Sequence, residues 1–397
     1  MIEFRPPISA RLLPSAVFVL ALPVAFGHHA AAPHFDLEKT IELKASITKF
    51  EFVNPHGYVY FDVDDKGKKA GWRCELPARA ALARLGWTDN TFRPGQNIVI
   101  KGAPARREAN VCMLTSFVRE DGVEIRREAD LTKLSPAPMV SKVVSPSNRP
   151  VKLTSGEPNL AGFWVSQGGP GGRGRGPGGG RGPGGPEGRG PGGRGPDFAG
   201  RGPGGPGGPG GRGRGPGGPG NLPQLTEAGL AVQAKYDQRF DDPGLQCSPA
   251  NIFFGWTHDQ HVNEIVQTAK EITLKYGYMD LVRTVHMNAA HPKSVTPSVG
   301  GHSTGKWEGD TLVVDTVGFL PGIVMPMSGH PHSGQMHAVE RFAVNSETGM
   351  LSRTYKADDP SYWKSEYSGG DTMTLSNEPF VPYACKELSG KNNQRPQ

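Results

Sequence analysis

Apolar and polar positions alternate with a period of two over most of the chain that can fold, the pattern of half-buried strands. Ile41, Leu43, Ala45 and Ile47, continued by Phe50 and Phe52, predict a first strand. Asn54-Pro55-His56-Gly57 has turn chemistry, and Tyr58 to Val63 alternates again as a second strand. Asp64-Asp65-Lys66-Gly67 makes a hairpin turn into a third strand over Gly71 to Leu76. Pro77 then opens a helix carrying Ala78, Ala81, Leu82 and Leu85, with Gly86 as its stop. Asn97 to Gly102, Val111 to Val118 and the short Val123 to Ile125 complete the set. Three strands, one helix and two or more further strands is the order of an OB-like small barrel. Later in the chain, Leu225 to Asp237 reads as a helix with Thr226 as N-cap. Strands follow over Glu264–Thr268, Glu271–Tyr276, Leu281–Met287, Gly305–Glu308, Thr311–Thr316, His337–Asn345, Leu351–Ala357 and Asp371–Leu375. Short strands at this spacing predict an antiparallel β meander that closes into a barrel or half-barrel, so the expected class is mainly β.

Composition changes the picture between these regions. Glycine and proline supply 56 and 37 of the 397 residues, and much of that excess lies in one block. The block has no apolar residues beyond Phe198 and Ala199, so it cannot bury surface against its ordering entropy and is expected to be disordered. The organisation predicted is a signal peptide over 1–27, an OB-like domain over 28–130 and an extended connector over 131–166. A Gly/Pro/Arg-rich linker over 167–221, an antiparallel β domain over 222–388 and a disordered tail over 389–397 follow. Within the connector, the apolar patch Leu160-Ala161-Gly162-Phe163-Trp164 is expected to dock on the second domain.

The net charge of +6 suggests a polyanion partner until it is located. Between Gly168 and Gly220 lie eight arginines and two acids, which account for the whole excess. The folded parts carry no net basic field, so no nucleic-acid partner is expected. Weak contact of the arginine-rich linker with an anionic envelope surface is the electrostatic alternative. Arg5 and Arg11, the apolar run Leu12 to Phe26 and the small residues after it read as a secretory signal, cut after Gly27 or after Ala32. The run is shorter than the ~20 residues of a membrane span and holds Pro14 and Pro23. Export to the periplasm or beyond permits disulfides. Of the three possible pairings of four cysteines, only Cys74–Cys112 with Cys247–Cys385 keeps both bridges within single domains.

Candidate chemistry falls in three places. His28 and His29, if cleavage leaves His28 first, offer an α-amino group and imidazoles to one metal ion, with His56 completing the set. Nitrogen ligands of this kind suit a copper-type ion. The stretch Met325 to His337 mixes thioethers and imidazoles, which also suit copper, although a polar loop explains it as well. In the second β domain, Arg283, His286, His302 and Glu308 are the candidate ligand-contact or acid–base groups at a barrel mouth. Glu308-Gly309-Asp310 is also ordinary turn chemistry. No phosphate loop, nucleophile elbow, H-E-x-x-H or dinucleotide fingerprint is present.

His28-His29, Phe50-x-x-Val53-Asn54-Pro55-His56, Trp72, Gly86-Trp87 and Pro94-Gly95 together resemble an uncharacterised family of small exported bacterial domains, over about His28 to Glu124. The family pattern has tryptophan where this chain has Phe52. Arg283-Thr284-x-His286, Gly301-His302-Ser303, the run Trp307 to Thr316 and Glu340-Arg341-Phe342 resemble a second uncharacterised bacterial type. The resemblance implies export and two domains and brings no reaction or cofactor. The expectation is therefore an exported binding or interaction protein of unknown small-molecule ligand, with a copper-type ion on the N-terminal histidines. The alternative is an enzyme with an acid–base site around His286, His302 and Glu308.

Overall fold

The structure is a computed structural model that describes residues 31–134, 149–166, 221–258, 261–388, 390 and 395. The signal segment, His28, His29 and the Gly/Pro/Arg block lie outside the described residues.

The first domain is a small closed barrel. Its strands are β1 (Ile41–Glu51), β2 (Gly57–Asp65), β3 (Lys68–Leu76), β4 (Asn97–Pro104), β5 (Val111–Val118) and β6 (Glu124–Arg126), with helix α1 (Arg79–Arg84) between β3 and β4. The sheet order is β3-β2-β1-β4-β5-β6, and a parallel pairing of β3 with β5 closes it, as the OB-like reading requires. That seam is only three residue pairs long, from Arg73–Val111 to Glu75–Met113. Cys74 and Cys112 are partners in it and are joined by a disulfide, which staples this short closing ladder. Gly102, at an irregularity where β4 meets β5, allows this: a Cβ there would meet the Met113 carbonyl oxygen at 2.7 Å. Inside, Val59, Phe61, Leu82, Trp87, Phe92, Ile100, Leu114 and Phe117 form the core.

The second domain is a larger closed barrel of nine strands. These are β7 (Gly162–Ser166), β8 (Val262–Gln267), β9 (Glu271–Lys275), β10 (Val282–Met287), β11 (His302–Glu308), β12 (Thr311–Val317), and, after a small hairpin of β13 (Gly322–Met325) and β14 (His330–His332), β15 (His337–Val344), β16 (Leu351–Asp358) and β17 (Tyr367–Ser376). The order around the barrel is β10-β11-β12-β15-β16-β17-β7-β8-β9. Two features go beyond a simple meander. First, β10 and β11 run parallel, because the chain between Met287 and His302 returns to the end of the barrel from which β10 started. Second, the apolar patch around Trp164 docks as a full strand between β17 and β8. The expected connector over 131–166 therefore gives its last five residues to the barrel, and the chain enters the Gly/Pro/Arg block from a barrel strand. The helix read at Leu225 is α2 (Glu227–Gln233), and the Thr226 hydroxyl accepts from the Gly229 N–H as its cap.

The barrel interior is apolar at Val285, Leu312, Val314, Ala338, Phe342 and Met373, and is crossed by four charges. Arg283 and Arg353, both about 1% exposed, meet Glu340 at 2.6 Å and 3.2 Å, and Arg353 also pairs with Asp371 at 2.5 Å. The Arg353 guanidinium donates to the carbonyls of Ile252 and Phe253 as well. Arg283 donates to Tyr276, Ser303 and Thr316. Burial alone would weaken the charge on each arginine, but the carboxylates outweigh it and hold both pKa values above the ordinary range. Burial raises the Asp371 carboxyl above its ordinary range, and the charge and hydrogen bond of Arg353 act against that rise.

Arg353→Met would strand Asp371 in the barrel and leave Glu340 with Arg283 alone. We expect a loss of about 3–5 kcal/mol of unfolding free energy, read from the urea midpoint, as for other buried pairs deprived of one partner. An unchanged midpoint would show that the interior charges do not hold the barrel.

Candidate functional site

Strand alternation fixes which side chains leave the large barrel. Arg283, Ser303, Thr316 and Glu340 point inward, so His286, His302, Asp315 and His337, an odd number of positions away, stand on the outer wall. The pairing registers bring them side by side: His286 is opposite Thr304, Thr304 opposite Asp315, and His337 opposite Asp358. The loop from Asn288 to Gly301 lays His291 across this wall.

The result is a continuous row. Glu271 approaches His286 at 3.3 Å, and the rings of His286 and His302 stack with centroids 5.1 Å apart. His302 Nδ1 lies 2.8 Å from His291 Nδ1. His291 Nε2 lies 2.9 Å from one Asp315 oxygen, and His337 Nε2 lies 2.9 Å from the other. His337 Nδ1 reaches Asp358 at 3.3 Å. A carboxylate accepts only, so both Nε2 atoms facing Asp315 carry protons. Of the two facing Nδ1 atoms of His291 and His302, one donates and the other accepts.

The field of the row sorts its members. Burial, then the neighbouring His291 and His286, hold His302 below the usual imidazole range, which keeps it neutral at neutral pH. Burial also acts against the charged form of His337, but the hydrogen bonds and charges of Asp315 and Asp358 prevail and raise it. Burial pushes the Asp315 carboxyl up, and its two imidazole partners outweigh that and lower it.

The four candidates of the second domain do not come together. His286 and His302 stack on the outer wall, Arg283 belongs to the interior charges, and Glu308 sits in the β11–β12 hairpin bonded to Arg341 at 2.9 Å and Lys306 at 2.9 Å. Glu308 is held below the ordinary carboxylate range by its hydrogen bonds to Lys306 and Arg341, the behaviour of a surface ion pair. Glu271, His291, Asp315 and Asp358 are members of the row that the sequence does not single out, and His337 enters the sequence reading only as the end of the Met325–His337 stretch. Strand alternation places Asp315 and His337 outward, but only the pairing register makes them neighbours, and a loop residue such as His291 has no periodicity to betray it.

The Met325–His337 stretch does not form a thioether–imidazole cluster. Met336 and His332 are buried, Met327 is exposed, and His330 bonds Gln233 and Ser328. His56, on the loop before β2, lies 3.9 Å from Glu75 and 3.9 Å from Glu387. Among the described residues, no group of three or more His, Cys, Asp or Glu side chains is arranged to hold a metal ion. In the row the reason is geometric: the His291 ring stands between His302 and Asp315, so the donors lie in line instead of converging. The hollow of about 90 Å³ beside Arg149 and Leu375 and the open groove of about 670 Å³ beside Leu37 and Arg126 include no member of the row.

Residues 17–113 match a family of unknown function, DUF6152, which agrees with the resemblance of the first domain to an uncharacterised family. Neither the curated proteins nor the solved structures yield a match.

The row makes stability depend on pH with a defined sign. His337 has a raised pKa, so its contribution is complete below the ordinary imidazole range and lost as pH rises through the raised value. Asp315 has a lowered pKa, so its contribution is present above the ordinary carboxylate range and lost as pH falls through the lowered value. Both are in force between about pH 4 and 6.5. The Tm difference between the wild type and His337→Gln should be largest in that window and shrink as pH rises through the raised His337 value. It should be small, because both side chains are more than a third exposed. A difference independent of pH would contradict the pairing.

Proposed function

We propose that this chain is an exported, periplasmic binding protein that meets its ligands through imidazole groups. The observation that carries this reading is the row itself: seven titratable side chains from six strands and one loop, joined edge to edge outside a barrel whose core is complete without them. His302 is held neutral, so one of its ring nitrogens keeps a lone pair, a group suited to a small polar ligand. Two disulfides fit an oxidising compartment. His28 and His29, at the start of a chain cut after Gly27, remain the place for a copper-type ion.

Cu(II) alone is a sufficient probe. Calorimetric titration of the mature chain should show uptake that weakens at least about tenfold when the chain instead begins at Ala30. The double variant His286→Ala/His302→Ala should leave that uptake unchanged, because the donors of the row do not converge on one ion. A mature chain that takes up no Cu(II), or takes it up unchanged when it begins at Ala30, would contradict the reading.

One observation favours acid–base catalysis as a second reading. Asp315, His291 and His302 form a carboxylate–imidazole–imidazole relay that could accept a proton at His302. It predicts that hydrolysis of an activated ester slows in Asp315→Asn and in His302→Ala; equal rates in all three proteins would dismiss it.

A further inference from the structure

After β17 the chain leaves the large barrel and runs along the small one. Two backbone groups are tied to the second domain: Tyr383 N–H and Ala384 N–H donate to the Asp280 carboxylate at 2.7 Å and 3.1 Å. The next residue, Cys385, is joined to Cys247 by a disulfide. The opposite side of the same short segment is held by the first domain. The Asn54 side-chain amide donates to the Tyr383 carbonyl at 2.7 Å, and Lys386 N–H donates to the Asn54 carbonyl at 2.6 Å. Cys385 and Asn54 form a parallel bridge. Lys386 pairs with Glu51 at 3.2 Å, and Arg73 donates to the Leu388 carbonyl at 2.7 Å. Asn54 is itself aimed by the Ala80 N–H, which donates to its side-chain oxygen at 3.1 Å, and it is only 6% exposed.

We propose that residues 383–388 are a redox-releasable latch by which the second domain grips the small barrel, with the Asn54–His56 loop as receptor and the Cys247–Cys385 disulfide as anchor. The grip is mostly to main-chain groups, so it reads an extended backbone held at the right height rather than particular side chains. Each such hydrogen bond contributes little alone. The anchor supplies the rest: with Cys385 fixed, the segment is already ordered at the receptor and binding costs little further entropy. Reduction by a dithiol transfers two electrons and two protons to the bridge. Cys247 and Cys385 become thiols while the dithiol closes into its own disulfide. The segment then keeps only the Asp280 hydrogen bonds and the packing of the Tyr383 ring on Tyr278, and the residues beyond Ala384 must be ordered again on each encounter. Access favours this bridge over the other, since Cys74 and Cys112 are fully buried whereas Cys247 and Cys385 are partly exposed.

The inference is independent of the histidine row. To test it, a protease site is placed between Ser135 and Asn148 in the full-length mature protein, ahead of β7, and the chain is cut after folding. In the oxidised protein the two pieces should co-elute on size exclusion. With dithiothreitol, or in Cys247→Ser/Cys385→Ser, their association should weaken at least about tenfold. The contact of the Arg107 guanidinium with the Phe240 ring, 5.1 Å at the same boundary, is kept in that variant and so serves as the internal comparison. Lys386→Glu keeps both cysteines and sets a carboxylate beside Glu51; it should also weaken association. Pieces that separate while oxidised, or that stay together equally well in the double-serine and Lys386→Glu proteins, would overturn the latch.

Discussion

The pairing of Arg283 and Arg353 with Glu340 and Asp371 inside the nine-stranded barrel is the constraint on which the rest of the second domain depends. Each of these side chains is costly to bury alone and tolerable only when all four meet. They sit on four different strands, β10, β15, β16 and β17, so they meet in one set of registers. A slip of one residue in any of these strands would turn a charge outward and its neighbour inward. Because the inward set is pinned, the outward set is pinned as well, and with it the row of His286, His302, Asp315 and His337.

That coupling explains how much of the molecule was legible in the chain. Period-two alternation locates every barrel strand but β7 to within a few residues, and the strand–helix–strand order of the first domain agrees with its OB-like closure, although other five-stranded α+β arrangements share that order. The cysteine pairing follows from domain arithmetic, and both bridges form as expected. What alternation does not carry is which strand lies beside which. β7 has too few residues to stand out, and it pairs with strands more than ninety residues later in the chain. The parallel β10–β11 pair likewise depends on a crossover that no local signal announces.

The same limit governs the candidate site. His286 and His302 were visible as chemistry, and they do stack. Glu308 was grouped with them by proximity in sequence, but the extended strand from His302 places it at the far end of β11, where Arg341 and Lys306 hold it. Arg283 lies only three residues from His286, yet three is odd, so the two occupy opposite faces of one strand. His291 completes the row from a loop, and only its contacts with His302 and Asp315 reveal it. The domain contact is similar: Asn54 reads as turn chemistry in the sequence, and its second use as a clasp on residues 383–386 appears only when the C-terminal segment is seen returning to it.

The central claim is that the imidazoles on the barrel wall share protons as one array rather than titrating as separate surface groups. Site-resolved nitrogen NMR of the histidine rings across pH tests it most directly. The account requires His302 to titrate below the ordinary imidazole range and His337 above it, and requires Asp315→Asn to bring His337 back down. Four rings that titrate alike, unmoved by loss of the Asp315 charge, would contradict it.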